Sequence, residues 1–407
     1  MIKRLQNIGP GLIITSAFIG PGTITLCTLV GVEFGYSLLW CIIFSLFATT
    51  YLQEMSSRLG IISRKGLSDV IKDTKNKIFK NLASILIIFS IFIGNCAYEA
   101  GNISGSIMGL ETFLGSGIYS TNSLNINLYA LLIGIFLILI ILIGSYKKFE
   151  KLLISMVFIM SITFIITAIL SKPNINDLLN GLVPTINNSN YLYVIGLIGT
   201  TVVPYNLFLH SYIAKKKWKN VDGYKNSLID TIISISIGGI ISISIIITAS
   251  ASNNFGINSE INNAIDLGIQ LQPYFGEFSK YFISIGIFAA GITSSITAPI
   301  ATSYALSGIF NYQPKWSNKK FKTVAITVII IGVISSSINY SPIYIIKFAQ
   351  FINGLFLPFI VIFLLWVMNQ KQILGNYVNS KKYNLLGIII VFLTLILCIK
   401  SLLTLFL

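Results

Sequence analysis

Two short stretches, Gly20-Pro21-Gly22-Thr23 and Thr200-Thr201-Val202-Val203-Pro204-Tyr205, interrupt two long apolar segments of this chain. Proline removes a backbone donor and clashes with the preceding turn of a helix, and a neighbouring glycine lets the chain leave helical geometry. Inside a bilayer, non-helical backbone is tolerated only where it is buried in protein or lines a cavity. The two stretches therefore predict two broken helices whose breaks face the interior of a membrane protein.

The composition places the chain in a membrane. Hydrophobic residues make up 54% of the 407 residues and charged residues 10%, whereas a soluble domain carries roughly 25% charged residues. Apolar runs close to the roughly 18 residues of a spanning helix recur along the sequence, and they do not alternate as barrel strands do. We predict about eleven spans. They lie approximately at 10–31, 36–57, 82–110, 127–145, 152–171, 191–213, 227–250, 280–309, 322–339, 343–369 and 384–406.

The basic residues fall in every second connection between the spans. The formal net charge is +15, and connections between the basic clusters hold almost no Lys or Arg apart from Lys172. The clusters are Lys3 with Arg4, 58–80, 147–151, 215–225, 315–322 and 371–382. This positive-inside pattern predicts a plasma-membrane protein with a cytoplasmic N-terminus and, after an odd number of spans, an external C-terminus. A nucleic-acid surface would gather its charge on one soluble face, so we expect no nucleic-acid partner.

The two interruptions occupy matching positions in two halves of the chain. Each lies in the first span of a five-span half, at about 9–171 and 191–369, and an extra span follows at about 384–406. Because five is odd, the second half enters the membrane inverted. Paired broken helices in inverted repeats mark the central site of secondary transporters, although a bland reading, in which the prolines only kink their helices, is the alternative. We expect residues 1–407 to form a single transmembrane domain.

Further motifs along the chain resemble one family. In order, they are Gly9-Pro10-Gly11, 17–23, 35–40, 52–60, Lys147-Lys148-Phe149-Glu150, 198–211, Ala290-Gly291 with Ser294-Ser295, and Gln350 with Leu357-Pro358. Together they resemble the NRAMP divalent-metal transporters over nearly the whole chain. The resemblance implies an all-α integral membrane fold, a LeuT-like bundle of two inverted five-helix repeats plus one extra helix, with spans 1 and 6 broken.

The departures from this family pattern fall on its metal ligands. NRAMP proteins hold the metal with the Asp and Asn of a D-P-G-N motif, a backbone carbonyl in span 6 and the Met of an M-P-H motif. The matching positions here are Gly20, Thr23, Thr200 and Val203, and Tyr205 stands in place of the His. The resemblance therefore implies a metal site at Gly20, Thr23, Thr200 and Val203 that lacks both the carboxylate and the thioether.

These positions offer only neutral oxygen ligands. Hard divalent ions prefer carboxylate oxygen, and softer transition metals accept thioether sulfur, so we predict poor discrimination for manganese or iron and a better fit to a monovalent or largely hydrated cation. The helix that begins near Thr23 also presents unpaired N–H groups with roughly half a positive charge, which suits a carboxylate or another anionic solute. The predicted substrate-binding residues are Gly20, Pro21, Gly22, Thr23, Thr200, Val203, Pro204, Tyr205 and Gln350.

Three polar residues behind the breaks are candidates for proton coupling. Glu99 is the only acid deep within a predicted span, where its insertion costs on the order of 3 kcal/mol. It resembles one of two acids that the family keeps on span 3, while Asn102 replaces the second, and the family's basic partners in span 9 are absent. His210 is the only histidine; it matches a Leu-His-Ser motif of the family and titrates near neutral pH. Glu99 and His210 each also have a purely structural reading, as buried hydrogen-bonding residues.

The sequence leaves three functions open. The first is a secondary transporter that moves a metal cation by alternating access with altered selectivity. The second is a transporter of the same fold repurposed for a small organic or anionic solute, and the third is a transport-inactive membrane sensor. We expect no enzymatic activity and no cofactor, because no paired carboxylates, nucleophile motif or metal-ligand cluster lies within the spans. The expected partners are the lipid bilayer, the transported solute or ion and protons for coupling.

Overall fold

The computed structural model describes residues 9, 19–74, 76–120, 125–144, 147–252, 261–338 and 340–406. Residues 10–18, the first part of the first predicted span, lie outside the described residues, as do Lys3 and Arg4. The motif Gly9-Pro10-Gly11 is described only at Gly9. The fold below is that of the described part of the chain.

Helices form most of the described chain. The first half contains α1 (Pro21–Phe34), α2 (Leu39–Ser63), α3 (Asp69–Asp73), α4 (Lys77–Ile87), a π-helical segment (Ile88–Ile93), α5 (Gly94–Leu114), α6 (Leu128–Ile143), α7 (Lys147–Leu170) and α8 (Ile175–Asn180). The second half contains α9 (Tyr191–Thr201), α10 (Pro204–Lys217), α11 (Gly223–Ser252), α12 (Ala264–Ile269), α13 (Gln272–Phe275), α14 (Ser279–Ser307), α15 (Lys319–Ser337), α16 (Pro342–Met368), α17 (Lys371–Leu374) and α18 (Lys381–Phe406). Short 3₁₀ segments lie at Gly276–Phe278 and Gly375–Tyr377. Strands β1 (Ile118–Ser120) and β2 (Asn125–Asn127) pair in antiparallel register.

The predicted spans correspond closely to these helices. Eight helical segments among the described residues are long and apolar enough to cross a membrane, and α1, α2 and α6 account for the other three predicted spans. The largest difference is at α2, which continues to Ser63 instead of ending near 57. It does so because Glu54 and Arg58 pair at 3.0 Å and Arg58 also donates to Asn379 Oδ1 at 2.6 Å. A second acid besides Glu99 is therefore buried in a span, as one half of an ion pair.

The two predicted interruptions are departures from helical geometry in the described residues. Gly20 is extended (φ −108°, ψ −175°) and α1 begins directly after it at Pro21. In the sixth span, Val202 (φ −94°, ψ 70°) and Val203 (φ −76°, ψ 117°) separate α9 from α10, which begins at Pro204. Proline is favoured at the first position of a helix because its missing N–H has no intrahelical partner there.

Two further prolines show that proline alone does not end a helix in this chain. Pro299 lies inside α14 and Pro358 inside α16, and both helices continue past them. The alternative in which a proline only kinks its helix therefore applies to spans 8 and 10. Span 6 differs because two consecutive residues before its proline have left helical geometry.

Close approach of α5 to its neighbours depends on glycine. An added Cβ on Gly105 would lie 2.3 Å from Pro21 Cβ at the start of α1, which is far inside van der Waals contact. An added Cβ would lie 3.1 Å from Ala349 Cβ of α16 at Gly101 and 2.5 Å from the Ser284 carbonyl oxygen of α14 at Gly109. Small residues at a four-residue spacing let membrane helices approach closely, and here they let α5 reach the break in span 1.

The connection between α2 and α3 is hydrogen-bonded to α10. Tyr212 of α10 donates to Asp69 Oδ1 at 2.5 Å, and its hydroxyl lies 3.0 Å from Ser307 Oγ of α14. The Leu67 N–H donates to Ser211 Oγ at 2.9 Å. These contacts tie α10 to α14 and to the α2–α3 connection on the face that carries the basic clusters.

Candidate functional site

The two broken spans meet in the protein interior. Thr23 Oγ1 of α1 and Thr200 Oγ1 of α9 lie 2.9 Å apart and share a hydrogen bond. Both threonines are 0% exposed. Thr49 of α2 donates to the carbonyl oxygen of Thr201 at 3.2 Å, which gives a hydrogen bond to backbone next to the break, where helical partners are lost. The structure therefore brings the two sequence-predicted stretches into direct contact.

Gln350 of α16 contacts both breaks. An added Cβ on Gly22 would lie 2.2 Å from Gln350 Nε2, and one on Gly199 would lie 2.1 Å from the Gln350 carbonyl oxygen. The side chain is buried, and its Oε1 has no hydrogen-bond partner among the described residues. Leaving a buried polar atom unpaired costs about 1–3 kcal/mol. This amide oxygen is therefore available to a solute held between the breaks.

The backbone carbonyls predicted as ligands are not equivalent. The carbonyl of Gly20 accepts the N–H four residues further on, at 3.2 Å, and that of Val203 accepts the N–H three residues further on, at 3.1 Å. The carbonyl of Thr200 has no intrahelical donor, because the residue four positions later is Pro204. Since a carbonyl has two lone pairs, all three can accept a further hydrogen bond. The Thr200 carbonyl has no intrahelical hydrogen bond to lose when it binds a ligand.

Glu99 lies behind the breaks, between α5, α14 and α15. It is 0% exposed, and an added Cβ on Gly332 of α15 would lie 2.5 Å from Glu99 Cγ. Asn102 and Ser295 are its polar neighbours, yet neither carboxylate oxygen has a partner with hydrogen-bond geometry among the described residues. A buried acid without a counter-ion is a candidate for reversible proton binding.

His210 lies on α10, about two turns beyond the break. It is completely buried, and its Nδ1 lies 2.9 Å from Gln53 Oε1 of α2. Its Nε2 has no partner among the described residues. His210 therefore joins α10 to α2 and does not itself line the contact between Thr23 and Thr200.

Two residues at the break in span 1 were not among the predicted site residues. An added Cβ on Gly20 would lie 3.0 Å from Ser294 Oγ and 3.5 Å from the Tyr98 hydroxyl. The Tyr98 ring packs edge-on against the ring of Tyr205, with 5.4 Å between the centroids. The available signal was a tyrosine in the middle of an apolar span, since tyrosines favour the ends of spans.

Neutral oxygen and amide groups dominate this region. The hydroxyls of Thr23 and Thr200 and the amide of Gln350 lie at the breaks. Among the residues that the structure describes, no group of three or more His, Cys, Asp or Glu side chains is placed to hold a metal ion. Such a set can coordinate weakly or hydrogen-bond to a solute, but it gives little compensation for stripping the water shell from a dication.

A bundle of inverted repeats in which two broken helices meet defines a secondary transporter with a LeuT-like fold. The chain belongs to the Nramp family: residues 11–404 match the model described as natural resistance-associated macrophage protein-like. The membrane assignment, the fold and the family resemblance inferred from the sequence are confirmed.

The relatives of this chain include characterised transporters. The divalent metal cation transporter MntH of Staphylococcus haemolyticus is 27% identical, covering 98% of this chain and 93% of that protein. MntH of Yersinia enterocolitica is 26% identical over 95% of this chain and 92% of that protein. A crystal structure of the Eremococcus coleocola manganese transporter, in complex with an aromatic bis-isothiourea substituted compound, has a TM-score of 0.75 at 20% identity and covers 98% of this chain and 86% of that chain. At this identity the structural similarity concerns the fold.

The contacts of Gln350 predict different outcomes for two glycine substitutions. Gly199→Ala places a methyl group against backbone atoms of α16, which cannot rotate away, so we expect a loss of about 1–3 kcal/mol in unfolding free energy. Gly22→Ala meets the Gln350 side chain from Cγ to Nε2, with no backbone atom among its three nearest contacts, and this side chain can change its rotamer. We expect Gly22→Ala to lose less thermal stability in detergent than Gly199→Ala while weakening solute binding. Equal melting temperatures for the two variants would contradict the placement of Gln350.

Proposed function

We propose that this chain is a secondary transporter that carries a cation across the plasma membrane by alternating access. Its relatives include divalent metal cation transporters that match almost their entire length, which supports a metal ion as the cargo. The positive-inside pattern supports a cytoplasmic N-terminus and an external C-terminus. In this orientation, the contacts of Tyr212 with Asp69 and Ser307 lie on the cytoplasmic side.

The unpartnered Oε1 of Gln350 carries this proposal. The Gln350 side chain is buried and its Nε2 lies against the break in span 1, while the Gln350 backbone lies against span 6. The Thr23–Thr200 hydroxyl pair joins these same two breaks. A cation between the breaks would be bound by Gln350 Oε1 and by the hydroxyls of Thr23 and Thr200, either directly or through its water molecules.

The selectivity proposed here differs from that of a manganese transporter. Gly20, Thr23, Thr200 and Val203 supply hydroxyl and carbonyl oxygen but neither a carboxylate nor a thioether. Fewer charged ligands lower the affinity of an oxygen site for dications, toward about 10⁻⁴–10⁻³ M. Without sulfur, the site also loses its preference for softer transition metals, so manganese gains no advantage over magnesium or calcium.

Binding calorimetry on purified protein tests this function. We expect heat with manganese, magnesium and calcium at similar, weak affinities, and a loss of about tenfold in affinity for Thr23→Val, which removes one hydroxyl ligand without changing the side-chain volume. Thr25→Val is the matched control. Thr25 is equally buried on the same helix and its Oγ1 has no hydrogen-bond partner among the described residues, so this variant should bind as the wild type does.

One observation favours a second candidate, a small organic or anionic solute. Both α1 and α10 begin at the breaks, at Pro21 and Pro204, and their first-turn N–H groups present positive partial charge to a site without a carboxylate. This candidate predicts thermal stabilisation by amino or carboxylic acids and no heat with dications. Absence of binding and of liposome uptake with either class would instead indicate a transport-inactive membrane protein.

We also propose that Glu99 binds the proton that drives transport. Glu99→Gln keeps the size of the side chain but cannot exchange a proton, so we expect cation binding to persist while accumulation driven by a pH gradient in proteoliposomes is lost. Glu111→Gln, on the same helix at its partly exposed end, is the control and should accumulate cation normally. Unchanged pH-driven uptake by Glu99→Gln would contradict the assignment.

A further inference from the structure

The space in front of Gly20 is already filled by other side chains. An ideal Cβ built on Gly20 would lie 3.0 Å from Ser294 Oγ, 3.8 Å from Ser294 Cβ and 3.5 Å from the Tyr98 hydroxyl. The first of these distances is tighter than normal contact, so even alanine would require a small shift. A longer side chain at position 20 would extend directly into the two hydroxyl groups.

Tyr205 also contacts Tyr98 and helps to hold the Tyr98 hydroxyl beside Gly20. Tyr98 and Tyr205 are both 0% exposed and pack edge-on at 5.4 Å, and their hydroxyls lie within hydrogen-bonding reach of each other. Tyr98 belongs to α5 and Tyr205 to the first turn of α10. The pair therefore links α5 to α10, the second part of span 6, next to the residue where α1 begins.

Ser294 differs from the two nearby threonines of α14. Thr293 and Thr297 each donate to carbonyls of their own helix. The Ser294 Oγ, by contrast, is buried and has no hydrogen-bond partner among the described residues. An unpaired buried hydroxyl destabilises the folded protein. The Ser294 Oγ, which faces Gly20, is therefore a candidate for binding a ligand.

We propose that Tyr98 and Ser294 occupy the place of a side chain at position 20 and, together with Tyr205 packed against Tyr98, form a neutral hydroxyl floor for the solute, so that the site holds a cation through its water of hydration. This inference rests on the proposed cation transport and specifies the form in which the cation is carried. Hydroxyl groups accept and donate hydrogen bonds to water molecules around an ion. They replace little of the energy that full dehydration of a dication requires.

The floor predicts that a carboxylate at position 20 is not enough to create a manganese site. In Gly20→Asp, the new carboxylate meets the hydroxyls of Ser294 and Tyr98 and is held by them, so manganese affinity measured by calorimetry should stay within about twofold of the wild type. In Gly20→Asp with Tyr98→Ala, the carboxylate is released toward the breaks. We expect this double variant to bind manganese at least about tenfold more tightly than Gly20→Asp, a difference of about 1.4 kcal/mol.

Two results would overturn the floor. One is a Gly20→Asp variant that already binds manganese as tightly as the double variant, and the other is a folded double variant that binds no better than Gly20→Asp. If removal of the Tyr98 ring prevents folding, Gly20→Asp with Ser294→Ala replaces the double variant under the same criterion. Because the readout is a gained manganese site, it is independent of what the wild type carries, and failure of cation transport by the wild type would leave this result unchanged.

The contribution of the hydroxyls is tested separately from the volume of the rings. Tyr98→Phe and Tyr205→Phe keep the edge-on ring contact and remove one hydroxyl each. If the floor holds a hydrated cation, each variant should weaken magnesium binding about fivefold or more. Both variants should melt at close to the wild-type temperature, which shows that they are folded. Wild-type magnesium affinity in both variants would show that the hydroxyls only fill space and would overturn the proposal.

Discussion

Backbone groups inside a bilayer must find hydrogen-bond partners within the protein, and this requirement governs the whole arrangement around the two breaks. Helical backbone geometry is lost at Gly20 and at Val202–Val203. The neighbouring structure compensates by close packing: Gly105 of α5 admits Pro21, and α16 lies against α9 at Gly199. The broken segments are therefore buried among helices, where their polar groups are shielded from lipid.

The same requirement explains why this interior is suited to binding. Around the breaks, the Thr23–Thr200 hydroxyl pair is satisfied internally, whereas Gln350 Oε1 and Ser294 Oγ have no partners among the described residues. Polar atoms buried in this way are stabilised when a solute enters. All of these groups are neutral, which supports the proposed preference for solutes that need hydrogen bonds or weak coordination.

The broken spans, their pairing and most helix limits follow from the sequence, because proline chemistry and apolar length act locally. Gln350 was also predicted to bind the solute, and the structure places this residue beside both breaks. Tyr98 was missed because its role depends on α5 packing beside Gly20, a contact between residues far apart in sequence. The end of α2 was misplaced for a similar reason: Arg58 is accommodated by Asn379, a partner more than three hundred positions away.

The central claim is that the breaks of spans 1 and 6 touch, and a disulfide between Thr23→Cys and Thr200→Cys tests it most directly. The two native oxygens are 2.9 Å apart, so mild oxidation should join the two introduced cysteines, and mass spectrometry should identify the bridged peptide and distinguish it from peptides of the four buried native cysteines. The pair Thr25→Cys and Thr200→Cys, on another face of α1, should not bridge. Equal or absent bridging in the two pairs would contradict the account.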